Sequence, residues 1–142
     1  GDGGFEVVPM LGVQVGLMIC FDWFFPESAR TLALGGADLI LHPSNLVLPH
    51  GPEAMKTRAL ENRVFTVTAN RVGSEARLPD ESLTYVGQSV IYSPRGERLL
   101  SLGLDEEMAM VVEVPVETAR DKQITTNNNL VTDRRPGQYK LD

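Results

Sequence analysis

The sequence has a single cysteine, Cys20, among 142 residues. One cysteine excludes an internal disulfide, so Cys20 is predicted to be a free thiol in a reducing compartment. Long apolar runs are also missing, since none approaches the roughly 20 residues that cross a bilayer. The first four residues have neither the basic nor the apolar part of a signal peptide. These absences predict a cytoplasmic protein with no membrane partner.

Positive charge is scarce as well. The chain has 13 Lys and Arg against 19 Asp and Glu, which gives a formal net charge of −6. Nucleic-acid binders concentrate basic residues on one face, so this balance predicts no nucleic-acid partner and favours small-molecule chemistry. The two histidines, His42 and His50, and the one cysteine have no recognised ligand spacing, so no metal site and no cofactor are predicted. The hydrophobic content, 42%, is enough for one core, and residues 1–142 are interpreted as a single domain.

The first half of the chain has strands alternating with helices. Residues 12–19 are short, nearly continuously apolar and rich in β-branched side chains, which indicates a strand covered on both faces. Pro26 suits a first helical position, and Gly35-Gly36 would end that helix after Leu34. The elements predicted next are a strand at 37–41, a loop to residue 51, a helix from 52 to about 63 and a strand at 64–69. The alternation predicts an α/β fold.

The second half is predicted to be richer in strands. The polar stretch 75–84 lacks periodicity and is interpreted as an exposed loop. Ser93-Pro94-Arg95-Gly96 has the residues of a hairpin turn, with proline presetting φ and glycine accepting the left-handed region. Strands are predicted at 86–93, 97–102 and 108–114. A short helix from 115 to about 122 and a polar tail from about 123, too hydrophilic to fold unaided, complete the chain.

Cys20 stands at the end of the first predicted strand, before a turn and a helix. Such a junction lifts a side chain out of the sheet and leaves backbone N–H groups free to face an oxyanion, so Cys20 is a candidate nucleophile. A lone cysteine after an apolar strand is more often a small buried hydrophobe. The junction alone leaves both interpretations open.

Short motifs follow one another around and after Cys20. They are the stretch 16–27 (GLMICFDWFFPE), Ala37-Asp38-Leu39-Ile40, His42-Pro43-Ser44-Asn45, Arg58-Ala59-Leu60-Glu61-Asn62-Arg63, and Gly87-Gln88-Ser89 followed by Ser93-Pro94. In kind, order and approximate spacing they resemble the nitrilase superfamily of carbon–nitrogen hydrolases, specifically the C-terminal half of its domain. The resemblance covers about residues 12–114.

The resemblance implies half of a four-layer α-β-β-α sandwich, in which one apolar sheet face needs a covering layer. It also implies that Cys20 attacks a small amide or nitrile, that ammonia leaves, and that water hydrolyses the thioester, with the backbone N–H of Phe21 as oxyanion donor. The family's glutamate base and lysine lie upstream of the cysteine motif. Only 19 residues precede Cys20 and none is lysine, so neither role is assigned here and a partial chain is expected. A homo-oligomer, dimer or higher, is the expected assembly.

The residues after Cys20 bear on the substrate. Family members that bind N-carbamoyl amino acids carry an arginine two to four residues after the cysteine, whereas this chain has Asp22, Trp23 and Phe24 there. Trp23 and Phe24 are therefore predicted to form an apolar pocket wall for an uncharged substrate, unless their rings point into the core. Ser44 and Asn45 are predicted to line the same pocket, with an ordinary turn role as the alternative. The motif does not separate amides from nitriles.

Other interpretations compete with this one. Cys20 and His42 would make a thiol–imidazole dyad, against a hydrogen-bonded structural role for His42. A non-catalytic nitrilase-like assembly or binding domain is the alternative function, because the glutamate and lysine are not assigned. Glu27 is interpreted as a favourable charge in a first helical turn. The remaining charges of interest are interpreted as a structural network on the second helix, namely Arg58, Glu61 and Arg63.

Overall fold

The computed structural model describes residues 3–78 and 81–139. The strands formed by these residues are β1 (Val7–Met10), β2 (Val13–Leu17), β3 (Leu39–Ser44), β4 (Phe65–Asn70), β5 (Ser74–Leu78), β6 (Glu81–Thr84), β7 (Val90–Tyr92), β8 (Arg98–Ser101), β9 (Gln123–Thr125) and β10 (Asn128–Asn129). The helices are α1 (Pro26–Leu34), α2 (His50–Asn62) and α3 (Glu117–Arg120), with 3-10 turns at Cys20–Phe24 and Pro136–Gln138. In the described ranges, no helix combines the length and apolar character that a membrane span requires.

A six-stranded mixed sheet organises these elements, in the order β1-β2-β3-β4-β7-β8. β2, β3 and β4 are parallel, and the other neighbours in the sheet are antiparallel. The β2-α1-β3 and β3-α2-β4 connections step across the sheet in the same direction. Because such crossovers are right-handed, both helices lie on one face of the sheet. The predicted α/β class is confirmed.

The helix-covered face holds the core. Ile40 on β3 and Tyr92 on β7 are fully buried there with Leu32 of α1 and Met55 of α2. Gly16 allows α1 to approach β2, because a Cβ atom at that position would lie 2.9 Å from Leu32 Cδ2. Apolar side chains on one stripe of each helix therefore join the sheet in a single cluster.

The opposite face of the sheet is also apolar. Its side chains run in register across five strands: Leu17, Leu41, Val67, Ile91 and Leu100. Leu17 is 52% exposed and the other four are half-buried. This row agrees with the expected sheet that has helices on one face alone.

The first half follows the prediction closely, apart from one missed strand and shifts of one to three residues at the ends of several elements. α1 spans the predicted residues, but β1 was missed, because its four residues are all apolar, do not alternate and include Pro9. β3 continues past the predicted end at His42 and includes Pro43. The last pair between β3 and β2 is Leu41 with Leu17, so the missing N–H of Pro43 faces a side of β3 that has no ladder partner.

The strand predicted at 86–93 is shorter than expected. Gly87 and Gln88 both have left-handed backbones, with φ of 57° and 55°, so β7 begins at Val90. The hairpin turn that follows is confirmed: Gly96 has φ of 76° and its N–H donates to Ser93 O at 2.9 Å. The hairpin turn signal predicted the strand but not the two left-handed residues that delay its start.

Two predictions in the second half are wrong. The stretch 75–84 is not a loop, because β5 and β6 pair in a separate antiparallel ribbon; its tip, residues 79–80, lies outside the described residues. Residues 108–114 form no strand, and Val111 is 95% exposed, since no neighbouring strand in the described ranges pairs with them. The tail is partly ordered, because β9 and β10 pair and Arg63 Nη2 donates to Gln123 O at 2.7 Å.

Candidate active site

Cys20 lies in the connection between β2 and α1, at the carboxyl edge of the parallel strands. β2 ends at Leu17, and the last sheet contact is from Met18 N to Leu41 O, at 3.0 Å. The predicted strand was thus two residues too long, whereas the predicted strand-turn-helix junction is confirmed. Cys20 itself is half-buried and has φ of 47°, a left-handed conformation that costs free energy in a residue with a Cβ atom.

Asp22 closes the turn around Cys20. Its Oδ2 accepts a hydrogen bond from Ile19 N at 2.8 Å, and its own N–H donates to Ile19 O at 3.1 Å. The two bonds tie together the residues that flank Cys20. This structural role of Asp22 was not predicted from the sequence, although an acidic residue early in a helical turn is a capping signal.

The same turn presents backbone donors. The 3-10 turn starts at Cys20, and its first bond runs from Asp22 N to Ile19 O. The N–H groups of Cys20 and Phe21 precede that bond, so neither of them has an acceptor within the turn. Backbone N–H groups at such a start can stabilise an oxyanion, which is the role predicted for Phe21.

His42 contacts the backbone of Cys20. The imidazole is fully buried on β3, and its Nε2 lies 2.8 Å from Cys20 O and 2.9 Å from Ser44 Oγ. Its Nδ1 lies 3.2 Å from Thr68 Oγ1. Burial lowers the pKa of His42, with a smaller opposing effect from the Cys20 carbonyl, so the ring is neutral at pH 7. Both nitrogens bond to groups other than the Cys20 thiol, which favours the structural role over the dyad.

The aromatic residues after Cys20 divide between core and surface. Trp23 is 5% exposed and belongs to the core cluster, so its ring takes the core alternative rather than the predicted pocket wall. Phe24 is 51% exposed and stacks on Phe21, with ring centroids 5.2 Å apart. Phe25 meets Phe21 edge-on at 5.7 Å. We call Phe21, Phe24 and Phe25 the aromatic cluster; it forms an exposed apolar surface beside Cys20.

The residues predicted on the loop after β3 differ in exposure. Ser44 is buried against His42, whereas Asn45 is exposed at the end of the strand. Asn70, which was not predicted as a site residue, holds this loop: its Oδ1 accepts from Leu46 N at 2.8 Å and its Nδ2 donates to Gly87 O at 2.5 Å. A polar residue at the carboxyl end of a parallel strand was the signal for it.

Arg58 and Glu61, both on α2, support the turn that contains Cys20. Arg58 pairs with Glu61 at 2.8 Å, as predicted, and its Nε donates to Trp23 O at 3.2 Å. Arg63 instead bonds to the tail, and Glu27 lies in the first turn of α1 as expected. Across the described ranges, no group of three or more His, Cys, Asp or Glu side chains is placed to hold a metal ion.

Comparison with known proteins gives a consistent result. The family model for carbon–nitrogen hydrolases matches residues 1–123. A nitrilase of Pyrococcus abyssi is 51% identical over 139 residues, which cover 98% of this chain and 51% of that protein. An N-carbamoylputrescine amidase of Solanum tuberosum is 30% identical over 154 residues, covering 99% of this chain and 51% of that protein.

A solved structure has the same fold around a reactive cysteine. It is a mutant amidase from Nesterenkonia sp. AN1 that shows covalent addition of the acetamide moiety of fluoroacetamide at its active site cysteine. The TM-score is 0.66 at 33% identity, over 74% of this chain and 39% of that one. This chain spans about half the length of the curated relatives it matches. The match of the family model over most of the sequence, with the nitrilase-like α/β fold, shows that the chain belongs to the carbon–nitrogen hydrolase family of the nitrilase superfamily.

Proposed function

We propose that this chain carries the nucleophile of an enzyme that hydrolyses a non-peptide carbon–nitrogen bond in a small amide or nitrile. The observation that carries the proposal is Cys20, a half-buried free thiol on a left-handed turn between a parallel strand and a helix. That turn presents the thiol next to unpaired backbone donors, as nucleophilic catalysis requires. A free thiol also fits the reducing, cytoplasmic location that we propose with it.

The proposed reaction has two stages. With an amide, Cys20 Sγ attacks the carbonyl carbon and forms the C–S bond, the C–N bond breaks, and the nitrogen leaves as ammonia with the proton that the Cys20 thiol gave up. Water then attacks the thioester, releases the carboxylic acid and returns the thiol. With a nitrile, one further water is consumed before ammonia leaves. The Phe21 N–H stabilises the negative charge that develops on the substrate oxygen in both stages for the amide.

No residue of this chain is assigned as the general base. The carboxylate nearest in sequence, Asp22, accepts from Ile19 N and holds the turn. The glutamate and lysine implied by the family resemblance therefore remain without counterparts among these residues. We propose that a second protein layer covers the apolar row of Leu17, Leu41, Val67, Ile91 and Leu100, and that a homo-oligomer forms.

The substrate is proposed to be small and uncharged. The exposed aromatic cluster lies next to Cys20 and offers apolar surface to a short acyl chain. Arginine, which would pair with a substrate carboxylate, does not occur at positions 21–25. Phe24 and Asn45 keep their proposed pocket roles because both are exposed at this edge. Ser44 is buried and would influence the pocket indirectly, through its contact with His42.

Ammonia release from a panel of short aliphatic amides and nitriles tests the proposal. The native protein is compared with Cys20→Ala and, as a matched control, with Phe25→Leu, which keeps the thiol and changes the apolar surface. Loss of the nucleophile is expected to remove activity by about 10⁴-fold or more, whereas Phe25→Leu mainly raises KM. Equal ammonia release from the native protein and Cys20→Ala would overturn the proposal. No release from any variant would support a partial chain whose base and lysine lie elsewhere, and slow labelling of Cys20 by iodoacetamide in the folded protein would then support the assembly alternative.

A further inference from the structure

The Cys20 carbonyl and the Phe21 N–H belong to one peptide unit. That unit is planar and trans, so its C=O and N–H point in opposite directions. A hydrogen bond that fixes the carbonyl on one side therefore fixes the direction of the N–H on the other. His42 Nε2 lies 2.8 Å from this carbonyl oxygen.

The surroundings of His42 decide which ring nitrogen carries the proton. A carbonyl oxygen can only accept, so Nε2 must donate to Cys20 O. Nδ1 of the neutral ring is then an acceptor, and the Thr68 hydroxyl donates to it at 3.2 Å. Ser44 Oγ donates to His42 O at 3.3 Å, so its oxygen is free to accept from Nε2 as well. Every hydroxyl at this site is arranged for one tautomer.

Burial makes this arrangement rigid. His42, Thr68 and Ser44 project from neighbouring parallel strands toward the helix-covered face, and all three are buried. The ring has no room to turn away from Cys20 without leaving buried polar groups unpaired. The left-handed backbone of Cys20 is thereby held from the sheet, while Asp22 holds it from the turn.

We propose that His42 is a positioning residue, which acts through the Cys20–Phe21 peptide to aim the Phe21 N–H at the reacting oxygen. This inference rests on the proposed function, because the aimed N–H matters only where an oxyanion forms. It assigns His42 no proton transfer, in contrast to a thiol–imidazole dyad. The hydrogen bond to the carbonyl also polarises the peptide and makes its N–H a better donor.

Three substitutions separate these roles. His42→Leu removes the donor, His42→Gln keeps an amide N–H at about the reach of Nε2, and His42→Asn carries the same amide on a shorter side chain that does not reach Cys20 O. In the native full-length protein we expect His42→Leu and His42→Asn to lower kcat by about 10-fold to 100-fold with little change in KM, since small misplacements of reacting groups have effects of this size. His42→Gln is expected to recover most of the loss.

Alkylation of Cys20 by iodoacetamide is the second measurement. This reaction forms no oxyanion, so its rate is expected to stay within about twofold in all three variants if His42 acts through Phe21 N–H. Slower alkylation in step with kcat, together with an inactive His42→Gln, would show a dyad and overturn the inference. Unchanged kcat in His42→Leu would overturn it equally.

Two further measurements apply if His42→Leu does not fold or if the native protein releases no ammonia. If His42→Leu does not fold, Thr68→Val removes only the hydroxyl that fixes the proton on Nε2, and it is expected to lower kcat about threefold to tenfold; unchanged kcat there overturns the inference. If the native protein releases no ammonia, the proposed function fails by itself. In that case the amide NMR signal of Phe21 tests whether His42 orients this N–H. The signal is expected to shift in Thr68→Val or His42→Leu and to return in His42→Gln, and a signal that stays constant overturns the inference.

Discussion

The two faces of the central sheet differ in what they bury. The helix-covered face carries Ile40 in its core and His42 with Thr68 at its carboxyl end, all three buried. The opposite face has an unbroken apolar row, of which Leu17 is half exposed and Leu41 half-buried. Judged by its apolar residues alone, the opposite face would be the better candidate for the buried core. This difference supports the proposed function, in which polar groups on the buried face hold the cysteine turn and the exposed apolar row is the surface proposed to contact further protein.

The largest expected effect comes from a matched pair on neighbouring residues of β3. Ile40→Ala opens a cavity under α1 and α2 and is expected to lower the free energy of unfolding by about 2–5 kcal/mol. Leu41→Ala, on the other face, is expected to cost less than about 2 kcal/mol in this chain without the proposed covering layer, because part of that side chain then contacts water. Urea denaturation of both variants measures the difference. Equal losses would mean that the opposite face is covered in solution, so that the two faces would not differ in burial.

A smaller effect is expected at the amino end of the same covered face. Asp38 accepts hydrogen bonds from Arg120 Nε at 3.0 Å, from Arg120 Nη2 at 2.9 Å and from Gln14 N at 3.0 Å. Asp38→Asn is expected to lower the free energy of unfolding by about 1–3 kcal/mol while kcat stays unchanged, since the cysteine turn lies at the other end of β3. A fall in kcat with unchanged stability would contradict this separation of stability and chemistry.

The same ion pair predicts an acid dependence. The hydrogen bond from Arg120 holds the pKa of Asp38 below its usual range. The unfolded chain therefore binds the proton first, so this stabilisation is complete above about pH 4 and is lost as the pH falls through the lower folded pKa. Denaturation curves recorded from about pH 6 down to about pH 2 should converge for the native protein and Asp38→Asn.

The smallest expected effect concerns Lys122, which donates to Asn62 O at 3.1 Å and to Arg63 O at 2.8 Å at the end of α2. Burial lowers the pKa of Lys122 to about 8, from an ordinary value of 10.5. The unfolded chain binds more protons between these values, so the free energy of unfolding should rise with pH from about 8 to about 10. The rise in the free energy of unfolding over this range is expected to exceed that of Lys122→Met by at most about 1 kcal/mol, because solvent screens a half-buried ammonium.

Tyr92 limits the range of that experiment. Burial raises the pKa of Tyr92, so above about pH 10 the unfolded chain loses the tyrosine proton first and stability falls with pH. Thermal melts of the native protein and Lys122→Met are therefore compared below that pH. The same slope in both proteins would contradict the assignment to Lys122.

The parallel half of the fold was largely predictable, and the antiparallel half was not. α1 has proline at its first position and glycine directly after Leu34, so local signals define both ends. β5 and β6 have polar residues on both faces, so their pairing left no periodic signal. Residues 108–114 have the apolar content of a strand, but a strand also needs a neighbour, which no local pattern supplies.

For the candidate site, the sequence by itself determined the position of Cys20 at a strand-turn-helix junction and the backbone donors that follow it, because chain order alone places them together. Only the tertiary structure decided that Trp23 enters the core and that Asn70 holds the neighbouring loop. It also decided that His42, 22 residues away, bonds to the Cys20 carbonyl. Such contacts depend on strand register and on side-chain direction, and neither quantity is encoded by any short stretch of residues.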